Sequence, residues 1–234
     1  MSEAGQLFLL STPIGNLEDM TFRAVRILQE ADLVAAEDTR RAMKLMNHFE
    51  IKVKLTSFHM HNERAKTNGL LDRVENGEKV VVLSDAGTPA IADPGFFIVR
   101  EAASRGIEPT VIPGVSALTF AAVAAGLPVD QFTFVGFLPV KKGKRQKVLE
   151  KMKETGITCF IFESPYKINK LLVEIVDYIG PDTPIALVRE ATKIYEETIR
   201  GTAEEIRAEH GERKWKGELV VAIDMREIKI KNED

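Results

Sequence analysis

Lys79-Val80-Val81-Val82-Leu83-Ser84-Asp85-Ala86-Gly87-Thr88-Pro89 is the stretch on which the fold turns. Residues 80–83 leave no polar side chain for a solvated face, so they read as a strand covered on both sides, as in a parallel sheet with helices above and below. The polar residues, glycine and proline that follow place a shaped loop at the carboxyl end of that strand. Open α/β sheets take their ligands at such ends.

Similar runs stand at 7–11, 33–37, 54–57 and 110–112. Between them apolar residues recur at helical spacing, as Phe22, Val25, Leu28 and as Leu70, Leu71, Val74, and Gly77 and Gly106 sit where helix C-termini favour glycine. Such alternation predicts a mainly parallel sheet flanked by helices. After Gly126-Leu127-Pro128 a second series begins, with strand runs at 132–135, 158–162, 185–188, 196–199 and 219–223 and helical patterns at 148–152, 171–179 and 203–208. The expected fold is therefore α/β in two closely apposed domains without a Ser/Gly-rich linker. Residues 1–125 form the parallel one, and 126–234 form a mixed sheet with helices.

At about 150 residues per domain, a chain of 234 residues lies between one domain and two. Its 44% hydrophobic and 29% charged residues suit a packed core and exclude a disordered, collagenous or disulfide-built chain. A net charge of −3 excludes a globally basic nucleic-acid binder and leaves a local patch open. Cys159, the one cysteine, lies in an apolar run and reads as a small core residue in a reducing compartment. Glu3 and the short apolar run at 7–10 argue against a signal peptide and for the cytoplasm. The uncharged stretch 109–129 is broken by Pro113-Gly114 and Gly126-Leu127-Pro128, so it reads as strand, turn and helix, not a membrane span.

Three strand-end loops, 12–16, 84–95 and 113–117, gather glycines and prolines that would let backbone groups meet a flat heterocycle. No GxGxxG fingerprint or phosphate loop is present, because Gly143-Lys144-Arg145 fails at its last position. Asp85 offers a carboxylate to sugar hydroxyls or an ammonium. Together the loops suggest a nucleoside-like ligand, and singly each is also an ordinary βα turn. Glu37-Asp38-Thr39-Arg40-Arg41 reads either as a polar-substrate or base site or as a helix N-cap with a basic first turn. His59, His61 and Glu63 lack a third ligand at motif spacing, so no metal is expected. Lys141, Lys142, Lys144, Arg145 and Lys147 crowd five positive charges beside Phe137, suited to a phosphate backbone and a stacked base or to a solvated face. Segments 163–167 and 189–193 follow second-domain strands and would face the same cleft if the two sheets join edge to edge.

Leu83-Ser84-Asp85-Ala86-Gly87-Thr88-Pro89-Ala90-Ile91-Ala92-Asp93-Pro94-Gly95 resembles the signature segment of the bacterial ribosomal RNA small subunit methyltransferase I family, a branch of the tetrapyrrole-methylase-like superfamily that uses S-adenosylmethionine. The likeness extends to 12–16, 36–41, 58–63, 113–117, 136–142, 162–167, 189–193 and 216–221, with Tyr166 standing where many relatives are expected to carry histidine. The resemblance implies two α/β domains with the cofactor between them, usually as a homodimer. It also implies methyl transfer to the 2′-hydroxyl of a cytidine in the decoding region of small-subunit ribosomal RNA, naked or in the assembled subunit. Residue by residue, it carries cofactor contacts onto Pro13, Asp85, Gly87, Thr88, Ile91, Ser116 and Ala117, and onto Phe162, Leu187 and Gly217 of the second domain.

Methyl transfer from a sulfonium mainly needs alignment and a proton acceptor, with no metal. Glu163, Glu190 and Lys193 are the candidates for base and positioning group, with Asp38 and Arg40 helping from the first domain. Expected RNA contacts are Arg40, Arg41, Lys141, Lys142, Lys144, Arg145 and Lys147. Two rival functions are methylation of a tetrapyrrole or corrinoid, which would demand a broad apolar cleft, and a non-catalytic nucleoside-binding regulator. No membrane partner is expected.

Overall fold

The computed structural model describes residues 5–226; Glu3 lies outside them. The first unit ends at Ser116. Its sheet is built from β1 (Gln6–Leu10), β2 (Leu33–Ala36), β3 (Lys54–Ser57), β4 (Lys79–Leu83) and β5 (Thr110–Ile112), in the order β3-β2-β4-β1-β5. Every pair is parallel. The 80–83 run is β4, and the two-sided burial read from it is borne out. Val81 and Leu83 pack with Ala24, Ile27 and Leu28 of α1 (Phe22–Glu30) and Ala42 and Met46 of α2 (Thr39–His48). Val80 and Val82 pack on the other face with Leu70, Leu71 and Val74 of α3 (Glu63–Glu75) and Ile98 and Ala102 of α4 (Phe96–Ser104).

In the second unit β6 (Phe132–Phe137), β7 (Thr158–Glu163), β8 (Pro184–Arg189), β9 (Glu197–Thr202) and β10 (Leu219–Ile223) order as β6-β7-β10-β8-β9. β6 and β7 are parallel and the other pairs antiparallel, so the sheet is mixed, as expected. One face carries Ile161, Leu187 and Val221 against α6 (Lys142–Thr155), α7 (Ile168–Tyr178) and α8 (Ala203–His210). Cys159 lies in this core with no exposed surface, and burial pushes its thiol up, away from nucleophilic use.

The other face carries Phe160, Ala186, Val188, Val220 and Ala222 against α5 (Ala117–Ala124). That packing moves the division of the chain to Ser116/Ala117, ahead of the 125/126 boundary expected from the Gly-Leu-Pro turn. The small faces of Ala121 and Ala125 sit on the second sheet, and Arg200 of β9 donates to the Ala124 and Ala125 carbonyls that end the helix. Stretch 109–129 is thus strand, turn and helix. Among the described residues no helix is long and apolar enough to cross a membrane.

Candidate active site

In the first unit β2, β4, β1 and β5 are adjacent, so their carboxyl ends bring four loops together. The β1 and β4 loops are locked by a two-way backbone bridge, Thr12 N–H to Gly87 O at 2.9 Å and Gly87 N–H to Thr12 O at 3.0 Å. The Ser11 and Thr88 hydroxyls pair at 2.9 Å, and the Thr12 hydroxyl donates to Ser84 O at 3.3 Å. Gly87 has φ +75°, a backbone state glycine adopts without steric cost. A Cβ there would meet Ile14 only at ordinary contact distance, so the dihedral and not crowding calls for glycine.

The rest of the signature loop is strained. Ala90 and Ala92 hold φ of +70° and +64°, unusual for residues with a Cβ. Ala90 N–H bonds to Pro94 O at 3.0 Å, and Gly95 N–H donates to the buried carboxylate of Glu63 at 3.1 Å. Glu63 is a residue whose role sequence reading missed, having weighed it as a metal ligand and within the likeness at 58–63 but not as a tie for this loop. With the inner groups committed, Ile91 projects half-exposed from the loop, and the half-buried Pro13 lies in the neighbouring one. Among the described residues, no group of three or more His, Cys, Asp or Glu side chains is placed to hold a metal.

Asp85 turns toward α2. Its Oδ1 accepts from Asp38 N–H at 2.9 Å, and its Oδ2 lies 3.4 Å from Arg41. Glu37 approaches the Asp85 amide at 3.4 Å, and burial, with that carboxylate nearby, pushes its carboxyl up. Asp38 caps α2 by accepting from Arg40 N–H at 2.9 Å, and the Arg40 side chain grips both its oxygens at 3.0 and 2.6 Å. That grip holds Asp38 far below the carboxylate range. The capping reading of 37–41 is therefore what the geometry gives, and Asp38 has little basicity left. Arg40, 87% exposed, and Arg41, 63%, stand at the surface.

In the second unit three expectations are corrected. Arg145, expected on RNA, is 2% exposed. It donates to Glu163 at 2.6 Å and, closer still, to Glu174. It is the one member of the basic run on the inward face of α6, where its guanidinium satisfies two buried carboxylates. Glu163, expected as a base, is buried in that pairing, with its other oxygen accepting from Ser164 N–H at 2.8 Å. Leu187, expected at the cofactor, lies wholly in the core, mid-strand between Val221 and Ile199. Lys141, Lys142, Lys144 and Lys147 are exposed and make no ion pair among the described residues.

Glu190, Lys193 and Gly217 do come together. Glu190 Oε1 accepts from Lys193 Nζ at 2.8 Å and from Glu218 N–H at 3.0 Å, and Lys193 also reaches Glu218 at 3.0 Å. Gly217, at φ +85°, leaves the space the carboxylate fills, since a Cβ there would fall 2.3 Å from Glu190 Cδ. Burial pushes Glu190 up, but the lysine and the amide outweigh it and leave the group below its ordinary value. Burial likewise presses Lys193 down, and its two carboxylates reverse this, so the ammonium keeps its proton. The cluster can hold an anion or a developing oxyanion at the ammonium and accept a hydrogen bond at Glu190. Glu218 lay inside the likeness at 216–221 but was not singled out as a site residue; the β8–β10 pairing brings it here. Phe162 is half-buried, its ring flanked by Phe134 and Phe137 with centroids 4.8 and 5.6 Å away. Ser116 and Ala117, at the start of α5, are half-buried.

The profile of the family described as Tetrapyrrole (Corrin/Porphyrin) Methylases matches residues 6–207. The sequence is 43% identical over 232 residues to ribosomal RNA small subunit methyltransferase I of Halalkalibacterium halodurans, covering 99% of this chain and 80% of that one. It is 41% identical to the protein of that name from Thermotoga maritima, over 95% of this chain and the whole of the other. Among solved structures, native uroporphyrin III C-methyl transferase from Thermus thermophilus matches with a TM-score of 0.66 at 20% identity, over 96% of this chain and all of that one. The same enzyme complexed with S-adenyl homocysteine matches at 0.64, also at 20% identity and with the same coverage. At that identity the structural likeness concerns the fold.

Proposed function

Because this chain belongs to the ribosomal RNA small subunit methyltransferase I family of the tetrapyrrole methylases, we propose that it transfers a methyl group from S-adenosylmethionine to small-subunit ribosomal RNA, at the 2′-hydroxyl of a cytidine in the decoding region. Identity of 43% over 99% of this chain to a relative of that name carries the reading. The geometry supports it with a strained strand-end loop in one unit and a protonated lysine held by carboxylates in the other. The setting is the cytoplasm, and the working form is a homodimer; exposed apolar side chains such as Phe22 and Val123 are consistent with a buried interface. Light scattering giving twice the chain mass checks this.

Pro13, Gly87, Thr88, Ile91, Ser116 and Ala117, with Phe162 and Gly217, would hold S-adenosylmethionine, which would supply a methyl carbon already activated by its sulfonium. The protein's task is to hold the ribose oxygen in line and manage its proton. Lys193 stays charged and stabilises the negative charge that develops on that oxygen. Glu190 accepts the proton late, once the hydroxyl has been acidified by bond formation. Lys141, Lys142, Lys144 and Lys147, with Arg40 and Arg41, meet the phosphates.

The test incubates the protein and tritiated S-adenosylmethionine with naked ribosomal RNA and with assembled small subunits from cells lacking the activity. Label that makes one linkage resist alkali is the expected result. Alkali-labile label would move the site to a base, and a third incubation with a tetrapyrrole that takes up label while neither RNA substrate does would overturn the reading.

A further inference from the structure

A cavity of about 190 Å³ opens wholly within the first unit, between the β1 loop and α2. Pro13, Leu17 and Leu45 give it apolar walls, and Arg41, Lys44 and Asp85 bring charge to it. Pockets for drug-sized ligands run to about 300–1,000 Å³, so this one suits a single flat ring and is too small for a whole adenosyl amino acid. Arg41 and Lys44 stand three apart on α2 and so share a face. Both are exposed, and Lys44 has no ion pair among the described residues. A phosphate joined to the ring would meet two cations there, whereas S-adenosylmethionine has no phosphate and carries positive charge of its own.

Asp85 bears on which ring fits. Its carboxylate is partly used by Asp38 N–H and Arg41, but a carboxylate has about four acceptor positions. A lining carboxylate accepts from the exocyclic amine of cytosine and faces an acceptor oxygen in uracil. The apolar walls give the base a surface to lie on, as flipped or unpaired bases require.

We propose that this cavity receives the target cytidine of the RNA substrate, its base between Pro13, Leu17 and Leu45, its amine on Asp85 and its phosphate at Arg41 and Lys44. The proposal rests on the RNA-methylating reading above. It gives Asp85 to the substrate, where the family resemblance gave it to the cofactor, and it takes Pro13 over from the cofactor contacts named above.

The experiment measures methyl transfer to assembled small subunits carrying C or U at the methylated position, and S-adenosylmethionine affinity by calorimetry, for wild type, Leu17→Trp, Asp85→Asn and the double variant Arg41→Ala/Lys44→Ala. Leu17→Trp fills the cavity from an exposed turn, and the double variant alters only surface side chains should the first fail to fold. Expected are KM values for subunits raised roughly tenfold in both, unchanged cofactor affinity in all three variants, and loss of discrimination against U in Asp85→Asn. Unchanged KM in a folded variant overturns the proposal, as does cofactor affinity falling in step with KM, which would hand the cavity to the cofactor's adenosine. Wild type that labels no ribosomal RNA instead overturns the functional reading itself.

Discussion

The β4 loop of the first unit and the β8 loop of the second share an unusual backbone but are held by different forces. Of the five non-glycine residues with positive φ among the described residues, four fall in these loops: Ala90 and Ala92 in one, Glu190 and Thr192 in the other. Each such residue costs about 1–3 kcal/mol and persists only where its surroundings over-determine it. The first loop is pinned by backbone bridges, a hydroxyl pair and one buried carboxylate. The second is pinned by ion pairs, Lys193 with Glu190 and Glu218, and Arg189 and Arg213 on Glu197. Backbone hydrogen bonds change little with salt or pH, so the first loop is a fixed cradle, whereas the second depends on the charge state of its members.

The largest expected effect breaks the charged side of this comparison. Arg145→Ala strands two buried carboxylates and should destabilise the protein by about 3–5 kcal/mol in urea unfolding. Lys144→Ala, one residue away, should stay within about 0.5 kcal/mol of wild type. Similar losses in the two would mean that Arg145 is not the inward member of the run.

Next comes the one carboxylate on which the first loop leans. Glu63→Ala leaves the buried Gly95 N–H without an acceptor, at a cost of about 1–3 kcal/mol, and should weaken cofactor binding by releasing the strained loop. Glu63→Gln retains an acceptor oxygen and should recover most of both; a glutamine variant as impaired as alanine would point to charge instead.

A smaller effect separates the loops by pH. The Arg213 guanidinium, helped by Arg189, holds Glu197 at about 2 against an ordinary 4.5. Its folded value is the lower one, so its stabilisation is complete above 4.5 and is lost as pH falls from there through about 2. The stability gap between wild type and Glu197→Gln should narrow over that window, and a constant gap would remove Glu197 from the acid response.

The smallest effect on the fold comes from neutralising Lys141, Lys142, Lys144 and Lys147 together, with stability expected within about 0.5 kcal/mol of wild type. RNA affinity, in contrast, should lose salt dependence by about 0.7–0.9 in log–log slope for each phosphate contact removed. An unchanged slope would make these lysines a solvated face.

The contrast also marks what was legible in the chain. Alternating strand and helix signals, the two-sided burial of 80–83 and the strand-end loops follow from local chemistry, and the folded units carry them. Arg145 was misplaced because a charge run reads as a surface, while on a helix one residue of five can point inward. Glu163 and Leu187 were misplaced for the same reason: at a strand end or mid-strand, sequence gives the position but not the face the sheet turns to the core. The Glu63–Gly95 and Glu190–Glu218 contacts span 32 and 28 residues, and no local pattern announces a pairing at that distance.

By itself, then, the sequence determined the α/β alternation, the two series of strands and the family signature at 83–95, because periodicity and turn chemistry act between near neighbours. Only the tertiary structure decided that α5 belongs with the second sheet, that Arg145 is an inward tie, and that Lys193 keeps its proton between two carboxylates. Those outcomes depend on which distant strands lie side by side, and on burial and charge that exist only once they do.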